Sequence, residues 1–347
     1  MEKDSSFWSH RTTHKKWLPG LYDLQKIWHP AWFQGNRKHN NYFEGWYIKC
    51  VSKGGDNVLA FIPGISLSRD GSHAFVQVIN GNSGETWYFS YPVETFRFSR
   101  KAFAVRIGPN YFSSSGIELD LLSETDHIAG NLTFTEPQLF PVNVRRPGIM
   151  GWYRYAPFME CYHGVVSLDH HTDGILHVNS KSMDFNDGKG YIEKDWGSSM
   201  PESWIWMQSN HFGRNKTAFM LSVAKIPWLG KSFPGFLGFF LLNGRRTDFA
   251  TYLNSEITIT EKTDKHVRLL IKGGDFTLEV KGEKGAAKKQ QGALKAPRTG
   301  NMDRMIHESI DARLFLTMRD MSGNTVFEGT GKHAGLEMIG DIKLQAT

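Results

Sequence analysis

From about residue 40 onward, apolar and polar residues alternate in short runs that are separated by turn-forming segments. The first runs are NYFEGWYIKCV, NVLAFIPGISLS, HAFVQVIN and TWYFSYPV, and the segments between them are SKGGDN, RDGS and NGNSGE. Alternation with a period of two is typical of half-buried β-strands, and Gly, Asn and Asp favour tight turns. No long stretch shows apolar residues at helical spacing. The pattern predicts antiparallel hairpins that close into a barrel.

A Pro/Gly/Arg-rich segment, PVNVRRPGIMGWYRYAP, interrupts this rhythm and predicts a long loop across a barrel mouth. The strand pattern then restarts at CYHGVVSLDHH and continues to TVFEGTGKHAGLEMIG. A chain of 347 residues also exceeds what one hydrophobic core usually serves. We therefore expect two domains, residues 1–180 with an amino-terminal extension and residues 181–347. One helix is predicted near Leu18–Trp28.

Composition supports an all-β class and limits the range of partners. The chain contains 24 Phe, 11 Trp and 35 Gly, a combination that favours strands and turns. Its net charge is +6, with much of the excess in Lys281–Arg298, which we interpret as a solvated loop. The sequence contains neither basic residues interleaved with exposed aromatics nor a recognised nucleic-acid-binding motif. We therefore expect no nucleic acid partner.

Cysteine usage and hydropathy indicate a cytoplasmic protein. Cys50 and Cys161 stand alone, which predicts buried thiols in a reducing compartment rather than a disulfide framework. The most apolar run, Pro234–Gly244, is too short to cross a bilayer and is interpreted as a buried strand. The aromatic and basic segment KKWLPGLYDLQKIWHPAWF either packs across a barrel end or makes peripheral contact with a membrane.

Four segments resemble the tocopherol cyclase family: HPAWFQGNRKHNNYFEGWYIKCV, CYHGVVSL, GYIEKDWGSSMPESWIWMQSNHF and EGTGKHAGLEMIG. The KDWG element is also similar to hydroxyneurosporene synthase-like, AttH-type proteins. This resemblance implies an all-β fold of two tandem lipocalin-like (calycin-like) antiparallel β-barrels. It further implies cyclisation of a prenylated quinol without a cofactor. Because the amino terminus does not look like a plastid transit peptide, the identity of the substrate stays open.

Cyclisation of this type requires an acid, aromatic faces that stabilise a passing cation, and hydrogen-bond partners for the quinol head. If NYFEGWY is a strand, Tyr42, Glu44 and Trp46 share one face while Phe43 and Tyr47 share the other. A carboxyl group between two aromatics in a dry interior is a candidate proton donor. The alternative for Glu44 is an ion pair with a buried cation.

In GYIEKDWG, Glu193 and Asp195 share one face, and Lys194 and Trp196 share the opposite one. Asp195 is the second candidate acid. The alternative is an ion-pair cluster that pins the first strand of the second barrel, with Trp196 closing the barrel end.

The segment PESWIWMQSNHF sends Trp204, Trp206, Gln208 and Asn210 to one face. Indoles supply apolar area and amides orient a polar head group, so this face suits a quinol or terpenoid pocket. Ordinary core packing is the alternative.

His163 lies beside Tyr162 in CYHGVVSL, where it either orients a phenol and relays a proton or is an ordinary core histidine. The other three histidines of this region, His170, His171 and His177, lack metal-ligand spacing and are interpreted as surface loop residues. We expect no metal and no cofactor. The sequence contains no GxSxG motif, so it gives no support for nucleophilic catalysis.

These observations give a set of candidate residues and three hypotheses. The candidate catalytic residues are Glu44, Asp195 and His163. The candidate substrate-binding residues are Tyr42, Trp46, Tyr47, Tyr162, Glu193, Trp196, Trp204, Trp206, Gln208 and Asn210. The leading hypothesis is a cyclase that protonates a prenyl alkene and captures the cation with oxygen. The alternatives are a hydratase of an isoprenoid double bond and a non-enzymatic carrier of a hydrophobic isoprenoid or lipid. Each takes a hydrophobic small molecule, and none requires a protein partner.

Overall fold

The computed structural model describes residues 7–11, 20–157, 159–228, 231–285 and 292–342. Its strands form two antiparallel sheets. The strands of the first sheet are β1 (Trp8–Ser9), β2 (Tyr42–Val51), β3 (Val58–Leu67), β4 (His73–Asn80), β5 (Thr86–Pro92), β6 (Phe96–Ser99), β7 (Ala104–Ile107), β8 (Asn110–Ser113), β9 (Gly116–Leu122), β10 (His127–Thr135), β11 (Cys161–Val178), β12 (Lys181–Asp184) and β13 (Gly188–Gly197).

The second sheet follows in the chain. Its strands are β14 (Trp204–Ser209), β15 (Ala218–Trp228), β16 (Lys231–Leu242), β17 (Arg245–Ala250), β18 (Glu256–Lys262), β19 (His266–Lys272), β20 (Phe276–Glu283), β21 (Gly292–Arg298), β22 (Asn301–Asp320) and β23 (Thr325–Ile339).

Helical structure is confined to short segments. Helix α1 spans Leu21–Gln25 and runs into a 3-10 turn at Lys26–Trp28. Both segments lie within the predicted helix, Leu18–Trp28. Its first two residues, 18 and 19, lie outside the described part of the chain. Further 3-10 turns lie at Val93–Thr95, Gly151–Tyr155 and Thr251–Leu253.

The order of strands in each sheet follows largely from sequential hairpins. The first sheet has the order β1-β6-β7-β8-β9-β10-β11-β13-β2-β3-β4-β5, with β12 paired to β11. The second has the order β17-β16-β15-β14-β23-β22-β20-β19-β18, with β21 paired to β22. The all-β class is confirmed. Pairing that would close either path into a barrel is not seen among the described strands, so two closed barrels stay a prediction.

The chain divides into two compact units. The first comprises residues 1–79, 86–200 and 294–305, and the second comprises residues 80–85, 201–293 and 306–347. The expected junction at residue 180 therefore differs from the observed division, and the interpretation of GYIEKDWG as the first strand of a second barrel is wrong. Strand β13, which carries this motif, lies between β11 and β2 in the first sheet.

Each unit has its own apolar core. In the first unit, alternate residues of β2 such as Trp46, Ile48 and Cys50 point into the core together with Ile192 and Trp196 of β13. The intervening residues of β2 are also buried, and Lys49 is fully inaccessible. Burial on both faces explains why the sequence of β2 is so rich in large side chains.

The second core is formed by residues of the second sheet outside β21. Ile205 and Met207 of β14 lie in it with Phe219, Phe240 and Leu336. The predicted buried strand at residues 234–244 corresponds to β16, in which Phe239 and Phe240 are buried.

Two expectations about solvated segments have different outcomes. Residues 141–150 contain no strand, as predicted for the Pro/Gly/Arg-rich segment. The loop expected at Lys281–Arg298 is wrong at both ends, since β20 extends to Glu283 and β21 occupies Gly292–Arg298. Residues 286–291 lie outside the described part of the chain. No helix among the described residues has the length and apolar character needed to span a membrane.

Candidate functional site

A group of polar side chains lies on the face of β13 that points away from the first unit's core. Tyr191, Glu193 and Asp195 alternate along this strand, and His163 of the neighbouring strand β11 stands directly opposite Asp195 in register. We call these four residues the His163 cluster. The predicted faces of GYIEKDWG are thus observed, because Lys194 and Trp196 point to the opposite side, where Lys194 contacts the rings of Trp46 and Trp196.

The members of the His163 cluster form a continuous chain of contacts. Nδ1 of His163 lies 2.9 Å from Oδ1 of Asp195, and Nε2 lies 3.5 Å from Oε2 of Glu193. The hydroxyl of Tyr191 donates to the same Oε2 at 2.7 Å. The side chains of His163 and Glu193 are 11% and 5% exposed, whereas that of Asp195 is 28% exposed. Asp195 is therefore the member that a second molecule can reach most easily.

The charges of the cluster favour the protonated imidazole. Burial by itself lowers the pKa of His163, but the negative charges of Asp195 and Glu193 outweigh it and raise this pKa to about 9. Burial, reinforced by the neighbouring Glu193, raises the pKa of Tyr191 well above its ordinary value. At neutral pH the cluster therefore holds an imidazolium beside a neutral phenol.

The same residues have the spacing of a metal site. One donor atom each from His163, Glu193 and Asp195 can be chosen so that all lie within 4.8 Å of one another. A sequence search restricted to HExxH and Cys/His spacing misses this set, because its members come from two strands. Each nitrogen of His163 faces a carboxylate, with Nδ1 at hydrogen-bond distance from Asp195 and Nε2 at 3.5 Å from Glu193.

Glu44 lies on the opposite face of the sheet, inside the first unit. Its carboxylate lies 2.6 Å from Nζ of Lys194, and both side chains are fully buried. It also accepts hydrogen bonds from the backbone N–H groups of Gln34 and Gly35 and from the hydroxyl of Tyr42. These contacts are those of the alternative that the sequence left open for Glu44, an ion pair with a buried cation, and they make Glu44 an anchor. A role of Glu44 as a proton donor stays a prediction.

Lys194 completes this anchor from the other strand. Its ammonium donates to the carbonyls of Pro30 and Trp32 in addition to pairing with Glu44. Burial lowers the pKa of Lys194 to about 8, although Glu44 opposes the effect. Glu44 and Lys194 thus bind the segment 30–35 through its amides and carbonyls.

Several predicted substrate-binding residues belong to the packed interior of the first unit. Tyr42, Trp46 and Trp196 are members of its apolar core, and Trp46 stacks on Phe103 at 5.2 Å. The contacts seen for these three residues are with neighbouring side chains of the core, and their role in binding a ligand stays a prediction.

Two other predicted substrate-binding residues, Tyr162 and Tyr47, lie beside the core and beside the His163 cluster respectively. Tyr162 stacks on Trp196 at 5.5 Å, and its hydroxyl donates to the carbonyl of Ala156. Tyr47 lies opposite Glu193 in register, on the same side of the sheet as the His163 cluster. Their predicted contact with a substrate stays a prediction.

The residues predicted from PESWIWMQSNHF lie in the second unit. Trp204, Trp206, Gln208 and Asn210 are buried, yet the apolar core of that unit contains the alternate residues Ile205 and Met207 instead. Trp204, Trp206 and Gln208 therefore lie on the face of β14 that points away from the core, as the alternation predicts, and Asn210 follows the end of the strand.

Two glutamates that the sequence did not single out lie beside these indoles. Nε1 of Trp204 donates to the buried Glu337. The ring of Trp206 covers Gly335, where an added Cβ would lie 2.4 Å from it and 3.2 Å from Oε1 of Glu308. Glu337 stands directly opposite Trp206 in register, a pairing that only the fold reveals.

The three histidines expected on a surface loop instead lie on strand β11. His170 is buried at 3% exposure, and burial lowers its pKa to about 3. Its ring packs against Gly190, whose missing side chain provides the space. The surface interpretation is therefore wrong for His170. Cys50 is buried and Cys161 is partly buried, and both are free thiols.

A polar groove of about 570 Å³ lies elsewhere in the first unit, on β8, β9 and β10. Its lining includes Tyr111, Ser113, Glu118, Asp120 and Asn131. No candidate site residue from the sequence lines it.

Comparison with known proteins supports the family resemblance and covers three of the four segments that carry it. The family model described as tocopherol cyclase-like matches residues 132–340, which is more than half of the chain. A probable chloroplastic tocopherol cyclase from Oryza sativa subsp. japonica is 27% identical over 71 residues, covering 20% of this chain and 15% of that protein. The chloroplastic tocopherol cyclase of Zea mays is 29% identical over 62 residues, covering 18% of this chain and 13% of that protein.

Solved structures share the fold over most of the chain. The crystal structure of CghA with Sch210972 has a TM-score of 0.52 at 11% identity and covers 86% of this chain and 88% of that one. An AttH-type protein from Nitrosomonas europaea has a TM-score of 0.51 at 12% identity, covering 86% and 92%. At such identities the likeness shows the fold alone. The family match, by contrast, includes His163, Glu193 and Asp195, and the chain belongs to the tocopherol cyclase-like family.

Proposed function

We propose that the protein is a cofactor-independent enzyme that cyclises a prenylated, quinol-type compound by proton transfer, with the His163 cluster as its acid–base centre. The observation that carries this proposal is the buried imidazole held between two carboxylates within the family's matched region. The tocopherol cyclases that the chain resembles support the reaction type. Because this chain spans only a small part of those relatives, the substrate class is part of the proposal.

The geometry suggests how Asp195 transfers a proton. Among the described residues, the contacts of Asp195 with His163 and Cys161 both use Oδ1, which leaves Oδ2 for a substrate. A proton on Oδ2 passes to the less substituted carbon of a trisubstituted alkene, where a C–H bond forms and a tertiary cation remains. The N–H of His163 then stabilises the carboxylate that is left.

Oxygen capture completes the reaction without a net change of atoms. The phenol oxygen of the quinol attacks the cation, a C–O bond forms, and the phenol O–H bond breaks. The released proton returns to Asp195, so the product is an isomer of the substrate. Asp195 is uncharged while it carries this proton, so at that stage the negative charge of Glu193 is the one that favours the imidazolium of His163.

The proposal is tested by incubating the protein with a prenylated quinol and separating the products by liquid chromatography with mass detection. We expect a product of unchanged mass and new retention. Asp195→Asn and His163→Gln should each lower the rate by about 100-fold or more, as is usual when a general acid is removed.

A matched control is available in the same unit. His127 and Asp120 form a surface pair at 2.8 Å, with side chains 51% and 63% exposed, so Asp120→Asn should keep the wild-type rate. A product heavier by one water indicates a hydratase instead. An unaltered ligand that co-purifies without turnover indicates a carrier, and either outcome contradicts the cyclase proposal.

A further inference from the structure

Three short segments of the first unit expose large apolar side chains. Five of these side chains are 46–72% exposed: Leu21 and Leu24 of α1, Val144, and Trp152 and Tyr155 of the 3-10 turn at 151–155. We call these five residues the apolar patch. Large apolar side chains that are exposed together mark a surface that contacts another molecule.

Hydrogen bonds bring the three segments of the patch together. Nε1 of Trp28, at the end of the 3-10 turn that follows α1, donates to the hydroxyl of Tyr155 at 3.1 Å. The same hydroxyl donates to the backbone carbonyl of Val144 at 2.7 Å. Tyr155 is therefore the point at which the segments meet, and the patch is one continuous part of the surface.

Local geometry explains why these side chains point outward. Leu21 and Leu24 are three residues apart, which places them on one face of α1, whereas Tyr22 on another face is buried. Trp152 and Tyr155 have the same separation in a 3-10 turn, where side chains at this spacing lie one above the other. Each helical segment thus packs with one side and exposes the other.

The third segment is a tight turn. The backbone N–H groups of Asn143 and Arg146 each donate to the carbonyl of the other, at 2.9 and 3.1 Å. Val144 and Arg145 lie between them at the tip of the turn, and both are exposed. The tip therefore presents one apolar and one cationic side chain next to each other.

The sequence around the patch is basic. Residues 24–43 contain two lysines and one arginine, residues 137–159 contain three arginines, and neither range contains Asp or Glu. The acids that flank the first range are paired, Asp23 with Lys26 at 3.1 Å and Glu44 with Lys194. Exposed leucines and indoles beside cations complement a lipid surface, whose anionic head groups lie over apolar acyl chains. A symmetric contact between two copies would instead bring like charges together.

We propose that the apolar patch is the surface through which the protein docks on a membrane that contains anionic lipids. Leu21, Leu24 and Val144 enter the boundary between head groups and acyl chains. Trp152 and Tyr155 lie at the level of the head groups, where amphipathic rings are favoured. Arg145 contacts the lipid phosphates.

The docking surface rests on the proposed function only for its catalytic consequence. Met150 lies between Val144 and Trp152 in the chain, and its Sδ accepts the backbone N–H of His163 at 3.1 Å. The segment that docks is thus in direct contact with a member of the His163 cluster. A prenylated quinol dissolves in the bilayer, so docking delivers this substrate to the enzyme.

The test is co-sedimentation of the full-length protein with vesicles of phosphatidylcholine alone or of equal parts phosphatidylcholine and phosphatidylglycerol. We expect the wild type to bind the anionic vesicles more tightly. The double variant Leu24→Ser/Trp152→Ser should weaken this binding by about 10-fold or more, because two apolar side chains no longer enter the lipid. Arg145→Gln should weaken it by about fivefold and leave binding to phosphatidylcholine alone unchanged.

Matched controls are available at the other end of the first unit's sheet. Leu122 is 70% exposed, and Lys181 is also exposed. Lys181 pairs with Val178, at the end of β11 remote from the patch. Leu122 pairs with His127, and the next residue, Ile128, also pairs with Val178. Leu122→Ser and Lys181→Gln should each bind both kinds of vesicle as the wild type does.

Fluorescence gives a second measurement that does not depend on affinity. Phosphatidylcholine with brominated acyl chains, mixed with phosphatidylglycerol, should quench part of the tryptophan emission of the vesicle-bound protein. Trp152→Phe keeps an apolar ring at this position, so it should still bind but show less lipid-dependent quenching than the wild type.

Three results would overturn the proposal. They are a wild type that does not sediment with anionic vesicles, control variants that lose as much binding as the patch variants, and unchanged quenching in Trp152→Phe. A dimer in analytical ultracentrifugation that Leu24→Ser/Trp152→Ser disrupts, without vesicle binding by the wild type, would assign the patch to a second copy of the chain instead.

Turnover separates this proposal from the proposed function. With a prenylated quinol embedded in anionic vesicles, Leu24→Ser/Trp152→Ser should react more slowly than the wild type, whereas in detergent micelles the two rates should be equal. Vesicle binding by a protein that turns over no prenylated quinol keeps the docking surface and contradicts the cyclase proposal.

Discussion

At the scale of single residues, His163 owes its properties to the two strands that surround it. The ring is almost completely buried, and an isolated imidazole in such a place would lose its proton. Asp195 and Glu193 reverse this effect and raise its pKa to about 9. His170 shows the contrast, because it is buried on the same strand without a carboxylate contact and its pKa falls to about 3.

The raised pKa predicts how His163 contributes to stability as pH changes. Its folded-state pKa of about 9 exceeds the ordinary value of 6.5, so protonation stabilises the folded state. This contribution is fully present below about 6.5 and is lost as pH rises through about 9. In urea unfolding at a series of pH values, the advantage of wild type over His163→Gln should shrink by up to roughly 3 kcal/mol between pH 6 and pH 10.

The exposed pair of His127 and Asp120 provides the comparison for this series. His127→Gln should change the free energy of unfolding by less than about 1 kcal/mol at every pH, because surface ion pairs contribute little. A constant difference between wild type and His163→Gln across the pH range would show that His163 is not held as an imidazolium.

At the scale of elements, β13 separates two functions by the alternation of its side chains. Glu193 and Asp195 point away from the core, and Lys194 between them points inward to Glu44. The sequence predicted this alternation correctly. It could not predict that Glu44 and Lys194 pair on the inner face, because this pairing depends on the backbone amides and carbonyls of residues 30–35, which approach only after folding.

Removal of Lys194 should be costly for the fold. Lys194→Met leaves Glu44 buried without its cation, and broken buried ion pairs typically cost about 3–5 kcal/mol. Lys53→Met is the matched control, since Lys53 pairs with Asp187 at 3.0 Å with both side chains at least 70% exposed. We expect it to cost less than about 1 kcal/mol by chemical denaturation. Equal losses in the two variants would contradict the anchor role.

Strand β23 has a similarly strict requirement at Gly335. A Cβ at this position would lie 2.4 Å from the ring of Trp206, so Gly335→Ala must displace the indole or the strand. We expect a loss of about 1–3 kcal/mol in the free energy of unfolding and a changed near-ultraviolet circular dichroism of tryptophan. Gly274→Ala, where no atom lies within 4 Å of an added Cβ, should change neither. If Gly335→Ala keeps both properties, the packing of Trp206 is not as described.

At the scale of the whole molecule, the sequence predicted the all-β class and the family but not the division of the chain. Residues 80–85 and 294–305 are each assigned to the unit that does not contain their sequence neighbours. Such exchanges leave no local signal in hydropathy or turn composition. The sequence does show that Tyr191 and Glu193 share one face of a strand, because one residue separates them. It does not show that this face is buried, and the hydrogen bond between them could not be predicted without that knowledge.

The central claim is that Asp195, supported by His163, protonates a prenyl alkene. The most direct measurement is the isotopic composition of the product formed from a prenylated quinol in D₂O. The account predicts one non-exchangeable deuterium in each product molecule, with formation reduced about 100-fold or more in Asp195→Asn and unchanged in Asp120→Asn. A cyclised product without carbon-bound deuterium, or wild-type labelling by Asp195→Asn, would contradict it.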